Sequence, residues 1–180
     1  MDAALEDIYR SCALSSPDEC AMYEDTVEGV RARVDALFDK LRTEPVGVRV
    51  DLSPVESRYH VVDYVKARGI ILIALYNTHT TGKILMEALA DLERGNATML
   101  YSMPTLDLLV DQLLVCNCSP DTPGWASAIY EVMAAIACGD TDGSNETVAD
   151  LREFYNNLAQ TSSFADLWFP HALCSYVPSS

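Results

Sequence analysis

Residues 53–76 decide the predicted fold, and their sequence is SPVESRYHVVDYVKARGIILIALY. Ser53-Pro54-Val55-Glu56 matches a capping box with proline at the first helical position, where the hydroxyl and the carboxylate each satisfy a backbone amide. Apolar side chains follow at helical spacing, so we predict a helix over 54–76. This helix has two apolar stripes, although a surface helix of a monomer needs only one. The first comprises Val62, Val65, Gly69, Leu72, Ile73 and Tyr76, and the second comprises Val61, Tyr64, Ile71 and Leu75.

Upstream of this stretch the sequence predicts a helix and a strand. Apolar residues recur at helical spacing over residues 22–42, and residues 1–20 show a weaker helical pattern. Pro45 ends the pattern. Val46, Val48, Val50 and Leu52 then alternate with glycine, arginine and aspartate, which is the period of a strand over 46–52. Because one isolated strand is only marginally stable, it needs a partner in this chain or in a second copy.

Downstream, helices are predicted up to Pro170. Thr80 or Thr81 can cap the next helix, Pro104 starts another, and Ser144 caps a later one. Between them, the helix 124–138 is apolar nearly all round, with Glu131 its only charge, as expected of a central helix enclosed by its neighbours. A short last helix follows Ser162 or Ser163, carries Phe164, Leu167 and Trp168, and ends at Pro170.

The fold class that follows is all-α, a compact bundle of six to seven helices around the central apolar helix. We divide the chain into an N-terminal extension over 1–52, the bundle over 53–170, and a tail over 171–180. The extension holds the helix 22–42 and the candidate strand 46–52.

Composition excludes several classes of function. The formal net charge is −15, and a field of that sign repels nucleic acid and anionic lipid headgroups. The longest apolar run, Ile70 to Tyr76, is far short of a membrane span. The N-terminus lacks the features of a signal peptide. We therefore expect a cytoplasmic protein whose six cysteines are reduced, with no structural disulfide.

The sequence offers no candidate for catalysis or for a cofactor. Gly82-Lys83 lacks the other residues of a phosphate loop, and the spacing of Cys116 and Cys118 is tighter than that of the usual zinc pair. Asp107 and Asp111 lie on one helix face, which on an acidic protein is more often a solvated surface than an acid–base pair. We expect no enzyme, no cofactor and no metal.

The order of the helices carries a resemblance. The run from Val61 to Asn77 leads through a short polar turn to Gly82-Lys83-Ile84-Leu85-Met86-Glu87-Ala88-Leu89. This order resembles the first two helices of the poxvirus Bcl-2-like family, whose members include intracellular inhibitors of Toll-like receptor and NF-κB signalling. Residues 126–138 similarly resemble the small-residue-rich central helix of that family, and residues 151–158 its penultimate helix.

The resemblance implies a Bcl-2-like bundle and a viral interaction protein, a virulence factor that acts in the host cell cytoplasm. It would bind a host signalling adaptor or kinase and inhibit innate immune signalling through NF-κB or interferon factors. The alternative is an apoptosis inhibitor that binds pro-apoptotic amphipathic helices in a surface groove. The Asn-Trp-Gly-Arg motif of apoptotic Bcl-2 proteins is absent, which disfavours that alternative.

The second stripe of the helix 54–76 predicts an interface, either with a partner protein or in a homodimer. Poxvirus proteins of the resembled family often dimerise through the first and penultimate helices, which here adds Phe154. The interface candidates are Val61, Tyr64, Arg68, Ile71, Leu75 and Phe154. The alternative is that the helix 22–42 folds back and buries this face within the same chain.

Overall fold

The structure is a computed structural model that describes residues 1–53, 56–103, 136, 138–139, 146–167 and 174. It is mostly helical, as predicted, with a small two-stranded sheet. Contacts divide the chain into two compact units, Met1–Leu106 and Asp107–Ser180. The elements of the first unit are α1 (Asp2–Ala13), α2 (Val27–Leu41), β1 (Val46–Ser53), β2 (Glu56–Val62), α3 (Tyr64–Ala74), a 3₁₀ turn (Leu75–Asn77), α4 (Thr78–Glu93) and α5 (Thr98–Ser102).

Helices α1 and α2 confirm the two predicted N-terminal helices. Helix α2 begins where the Thr26 hydroxyl accepts a hydrogen bond from the Gly29 amide at 3.0 Å, which satisfies one of the free amides of the first turn. Each helix is amphipathic and turns one apolar face inward. The buried side chains are Leu5, Ile8, Tyr9 and Cys12 on α1, and Val30, Val34, Leu37, Phe38 and Leu41 on α2.

A disulfide joins Cys12 at the end of α1 to Cys20 in the following loop, with their Cα atoms 5.4 Å apart. A second disulfide joins Cys138 to Cys174. The prediction of no structural disulfide is therefore wrong. It rested on the expected compartment, and spacing in the sequence does not reveal which cysteines meet in space.

Strands β1 and β2 form an antiparallel hairpin. Its register pairs Val46 with Val62, Val48 with His60, and Ser53 with Glu56. The strand predicted over 46–52 is confirmed, and its partner lies in the same chain. The prediction of a helix over 54–76 is wrong over 56–62, because Glu56–Val62 is strand β2 and Ser53 pairs with Glu56 in the hairpin. Pro54 and Val55 lie outside the described residues. The boundary drawn between residues 52 and 53 lies inside this hairpin.

Helix α3 begins only at Tyr64, where the Asp63 carboxylate accepts a hydrogen bond from the Lys66 amide at 2.9 Å. The chain then turns through Leu75–Asn77 into α4, which begins at Thr78 and not at the predicted Thr80 or Thr81. The Thr81 hydroxyl lies 2.6 Å from the Ala74 carbonyl oxygen and ties the two helices together. The buried side chains of this pair include Ala67, Ile70, Ile71, Leu85, Met86, Leu89 and Leu92.

In the second unit the structure describes α6 (Val148–Ala159) and a 3₁₀ turn (Ala165–Leu167). Thr147 and Asp150 form a capping box at the start of α6, the helix predicted to follow Ser144. Ser144 itself, the helix predicted from Pro104 and most of the central helix 124–138 lie outside the described residues. Of that central helix, Ile136 and Cys138 are described as helical, and the Ile136 side chain is exposed. Within the described parts of both units, every helix is too short or too polar to span a bilayer.

Candidate protein interface

One face of the hairpin projects apolar and aromatic side chains into solvent. Tyr59 is 75% exposed and Val61 is 54% exposed, and across the register they lie opposite Arg49 and Gly47. These four residues, Gly47, Arg49, Tyr59 and Val61, form what we call the hairpin face. A Cβ atom added at Gly47 would meet no heavy atom of the described residues within 4 Å, so the face is open beside Val61.

The opposite side of the hairpin is anchored in the first unit. Val48 and Val62 are buried, because successive side chains of a strand point to opposite faces of the sheet. The His60 ring stacks on the Tyr101 ring of α5 with a centroid distance of 4.8 Å, and the Lys66 ammonium lies 4.7 Å from the same Tyr101 centroid. The side of the hairpin opposite the hairpin face is therefore packed against the rest of the first unit.

A small polar network fixes Arg49 at one end of the hairpin face. The Asp51 carboxylate accepts hydrogen bonds from the Ser57 hydroxyl at 2.6 Å and from Arg49 Nε at 2.8 Å. Arg49 Nη2 also donates to the Ser57 hydroxyl at 3.0 Å. The hydrogen bond from Ser57, and then that from Arg49, lower the pKa of Asp51. This network limits the conformations of Arg49 next to the exposed Tyr59 ring.

The structure separates the predicted interface residues. Val61 is exposed, but it lies on β2 and not on a helix, and Tyr64 is half-buried. Arg68, Ile71 and Leu75 are only 6%, 0% and 6% exposed, so these three side chains are not available as a surface. Phe154 is half-buried on α6, in the second unit.

Helix α2 lies against α3, as the alternative prediction for the helix 22–42 required. The Phe38 and Tyr64 rings meet edge to face at 6.1 Å. The Arg42 guanidinium lies 3.5 Å from the centroid of the Tyr64 ring, and that of Arg68 lies 5.5 Å from the Phe38 centroid. Residues of α2 therefore bury part of the second stripe, at Tyr64, as that alternative predicted.

The two strands also present backbone edges. Among the described residues, β1 and β2 pair only with one another, so each has an outer edge that no other described strand occupies. Helix α5 lies against β1, whereas β1 is the only element of the described chain in extensive contact with β2. Among the described strands, the outer edge of β2 is thus unpaired, and β2 is the strand that carries Tyr59 and Val61.

A cleft of about 440 Å³ lies between α1 and α4. Its floor is formed where α1 approaches α4 closely, since a Cβ atom on Gly82 would lie 3.6 Å from Ile8 Cγ1. The Cys12–Cys20 disulfide forms part of the wall. The polar lining residues are Asp7, Ser11, Ser15, Glu19, Thr78, His79 and Lys83. Among the described side chains no group of three or more His, Cys, Asp or Glu residues could hold a metal ion.

Comparisons with known protein families, characterised proteins and solved structures find no match to this chain. The predicted family resemblance therefore remains a prediction. The function has to be argued from the surface that the first unit presents.

The interface candidates predicted from the sequence did not include Tyr59, Gly47 and Arg49, although a signal for the hairpin was present. The outward-pointing residues Tyr59 and Val61 alternate with His60 and Val62, which is the period of a strand. This segment comes shortly after the strand pattern over 46–52 and Pro54, as expected of the second strand of a hairpin. The capping-box match over 53–56 outweighed that alternation.

Proposed function

We propose that this protein acts by binding another protein through the hairpin face, and that this binding inhibits innate immune signalling in a host cell. The observation that carries the proposal is the pair Tyr59 and Val61, exposed side by side on an anchored hairpin. Tyrosine and arginine are enriched among residues that dominate binding energy, and exposed apolar patches mark interaction sites.

The signalling role rests on the family resemblance. Its support is the order of an apolar helix, a short polar turn and a helix beginning near Gly-Lys, which α3 and α4 retain. A Bcl-2-like bundle of six to seven helices, a host adaptor or kinase as partner, and a non-enzymatic mode of action belong to the same proposal. A homodimer belongs to it as well, through the hairpin face in place of the buried Ile71 and Leu75.

Reporter assays test this proposal in cells. Wild-type protein is expected to reduce NF-κB or interferon-factor reporter output, and the double variant Tyr59→Ala, Val61→Thr is expected to lose most of that inhibition. Tyr76→Ala is the matched control, since Tyr76 is 74% exposed but lies outside the hairpin. Equal inhibition by the double variant and the wild type would remove the hairpin face from the proposal. Cell-death assays in the same cells test the alternative of apoptosis inhibition.

The host cell cytoplasm is the proposed site of action, and cell fractionation tests it. The protein is expected in the cytosolic fraction of expressing cells, and its recovery in the secretory fraction would contradict the proposal. Because cytosolic thiols are kept reduced by glutathione and thioredoxin, the Cys12–Cys20 disulfide disfavours this compartment.

A further inference from the structure

We propose that two copies of this chain pair through the outer edges of their β2 strands, which joins the two hairpins into one four-stranded sheet. This inference rests on the proposed function, because it gives the homodimer a binding mode and brings two hairpin faces into one surface. Three features of the hairpin support it, namely an edge without blocking residues, side chains that complement themselves, and the absence of net charge.

The backbone edge of β2 is the first feature. Among the described strands only β1 pairs with β2. Exposed strand edges are usually blocked against pairing by charged side chains, proline or a bulge. Residues Tyr59–Val62 include no lysine, arginine, aspartate, glutamate or proline, and their register with β1 is regular. This part of β2 therefore lacks the features that prevent another strand from pairing with it.

Self-complementarity is the second feature. In a two-fold symmetric dimer, residue i of one copy contacts residue j of the other, and j contacts i. Antiparallel pairing of two β2 strands about His60 would place Tyr59 of each copy opposite Val61 of the other, on the exposed face of the sheet. Aromatic and β-branched residues directly opposite one another form favourable cross-strand pairs. A second copy therefore supplies a neighbour for both exposed side chains of β2 at once.

Charge is the third feature. Strands β1 and β2 together contain two basic and two acidic residues, Arg49, Arg58, Asp51 and Glu56, so their net charge is zero. The rest of the chain carries the whole net charge of −15. Two copies of so acidic a chain repel each other, and the repulsion is least where neutral strands meet. Salt should therefore strengthen the dimer, because it screens this repulsion and leaves the apolar pairs unaffected.

Sedimentation equilibrium of the full-length protein tests the inference. A dimer at tens of micromolar is expected, and its dissociation constant is expected to fall as sodium chloride rises from about 50 to 500 mM. A monomer at every concentration, or a dimer that salt dissociates, would overturn the inference.

Paired variants test the register. Tyr59→Lys and Val61→Glu are each expected to weaken the dimer about tenfold, because each places a charge opposite an apolar side chain. In a mixture of the two variants, the new lysine of one copy would lie opposite the new glutamate of the other, and the remaining Tyr59 and Val61 would still pair. The mixture is therefore expected to associate more tightly than either variant alone. A mixture that associates no more tightly would contradict pairing about His60.

Tyr76→Lys is the charge-matched control, since Tyr76 is 74% exposed and lies outside the hairpin. It is expected to leave the dissociation constant unchanged, and weakening equal to that of Tyr59→Lys would remove the dimer interface from β2. Amide hydrogen exchange tests the edge directly. The β2 amides that point away from β1 are expected to exchange more slowly in the dimer than in the diluted monomer. Unchanged exchange of these amides in a protein that dimerises would refute strand pairing.

The two proposals can fail separately. If the double variant Tyr59→Ala, Val61→Thr loses reporter inhibition while the wild type is a monomer, the hairpin face stands and the pairing of β2 strands is wrong. If the wild type dimerises through β2 but leaves the reporters unchanged, strand pairing stands and the signalling role is wrong.

Discussion

At the scale of single residues, Arg33 links three parts of the first unit. Its Nε and Nη2 atoms donate to the two carboxylate oxygens of Glu93 at 3.0 and 2.7 Å, and Nη1 donates to the Tyr23 carbonyl oxygen at 3.3 Å. The hydrogen bond from Arg33 lowers the pKa of Glu93. Nothing in the sequence indicated this pair, because residues 60 positions apart meet only once α2 packs near the end of α4.

Glu93→Gln tests the pair. Because the Glu93 side chain is 37% exposed, solvent screening limits the expected loss of unfolding free energy at neutral pH to about 1 kcal/mol or less. A carboxylate with a lowered pKa stabilises the fold above its unfolded pKa, near 4.3, and this contribution is lost as pH falls through the folded value. The difference between wild type and variant should therefore shrink below about pH 4 in urea titrations.

Glu44→Gln is the matched control for that measurement. Glu44 lies 3.9 Å from Lys40, and its side chain is 70% exposed, so its replacement is expected to change stability by only a few tenths of a kcal/mol. An equal loss in both variants, or a Glu93→Gln difference that persists at low pH, would contradict a specific role for the Arg33–Glu93 pair.

At the scale of elements, local patterns predicted α1, α2, α4 and β1 because each pattern agrees with the tertiary structure that forms. The exception is the segment 56–62, where a capping-box match and a helical stripe competed with pairing to β1. The burial of Val62 and the pairing with β1 favour a strand over a helix in this segment. Both depend on residues outside 53–76, so the sequence of that stretch alone could not predict them. The burial of Ile71 likewise depends on tertiary packing against neighbouring helices.

Helix α3 retains a glycine that its geometry does not require. A Cβ atom at Gly69 would meet no heavy atom of the described residues within 4 Å, so Gly69→Ala is expected to stabilise the protein by about 0.5–1 kcal/mol. Thermal unfolding measures the gain. The control is Gly29→Ala in α2, where the new Cβ atom would lie 3.0 Å from Glu24 Cβ and the gain should be smaller or reversed. A destabilising Gly69→Ala would contradict the placement of α3.

At the scale of the whole molecule, the two units differ in charge. Residues 1–106 hold eleven of the twelve lysines and arginines and carry a net charge of −6, whereas residues 107–180 carry −9 with Arg152 as their one basic residue. Each disulfide lies within one unit, Cys12–Cys20 in the first and Cys138–Cys174 in the second. The hairpin face thus belongs to a unit with its own core and its own cross-link.

This division predicts that residues 1–106 fold alone, because β1, β2 and the helices that anchor the hairpin are all included. A domain of this size is expected to unfold cooperatively with a free energy of about 5 kcal/mol or more. The matched comparison is residues 53–180, which comprise the bundle predicted over 53–170 and the tail. That fragment lacks β1, α1 and α2, so Val62 and Ile71 lose their cover and the hairpin cannot form. Chemical denaturation followed by circular dichroism should show a sharp transition for the first fragment. Hydrogen exchange followed by mass spectrometry should show no protected amides in the region of α3 and α4 in the second. Protected amides in α3 and α4 of the 53–180 fragment, beside an unfolded 1–106 fragment, would favour the predicted boundary at residue 53 and contradict the hairpin as an integral part of the first unit.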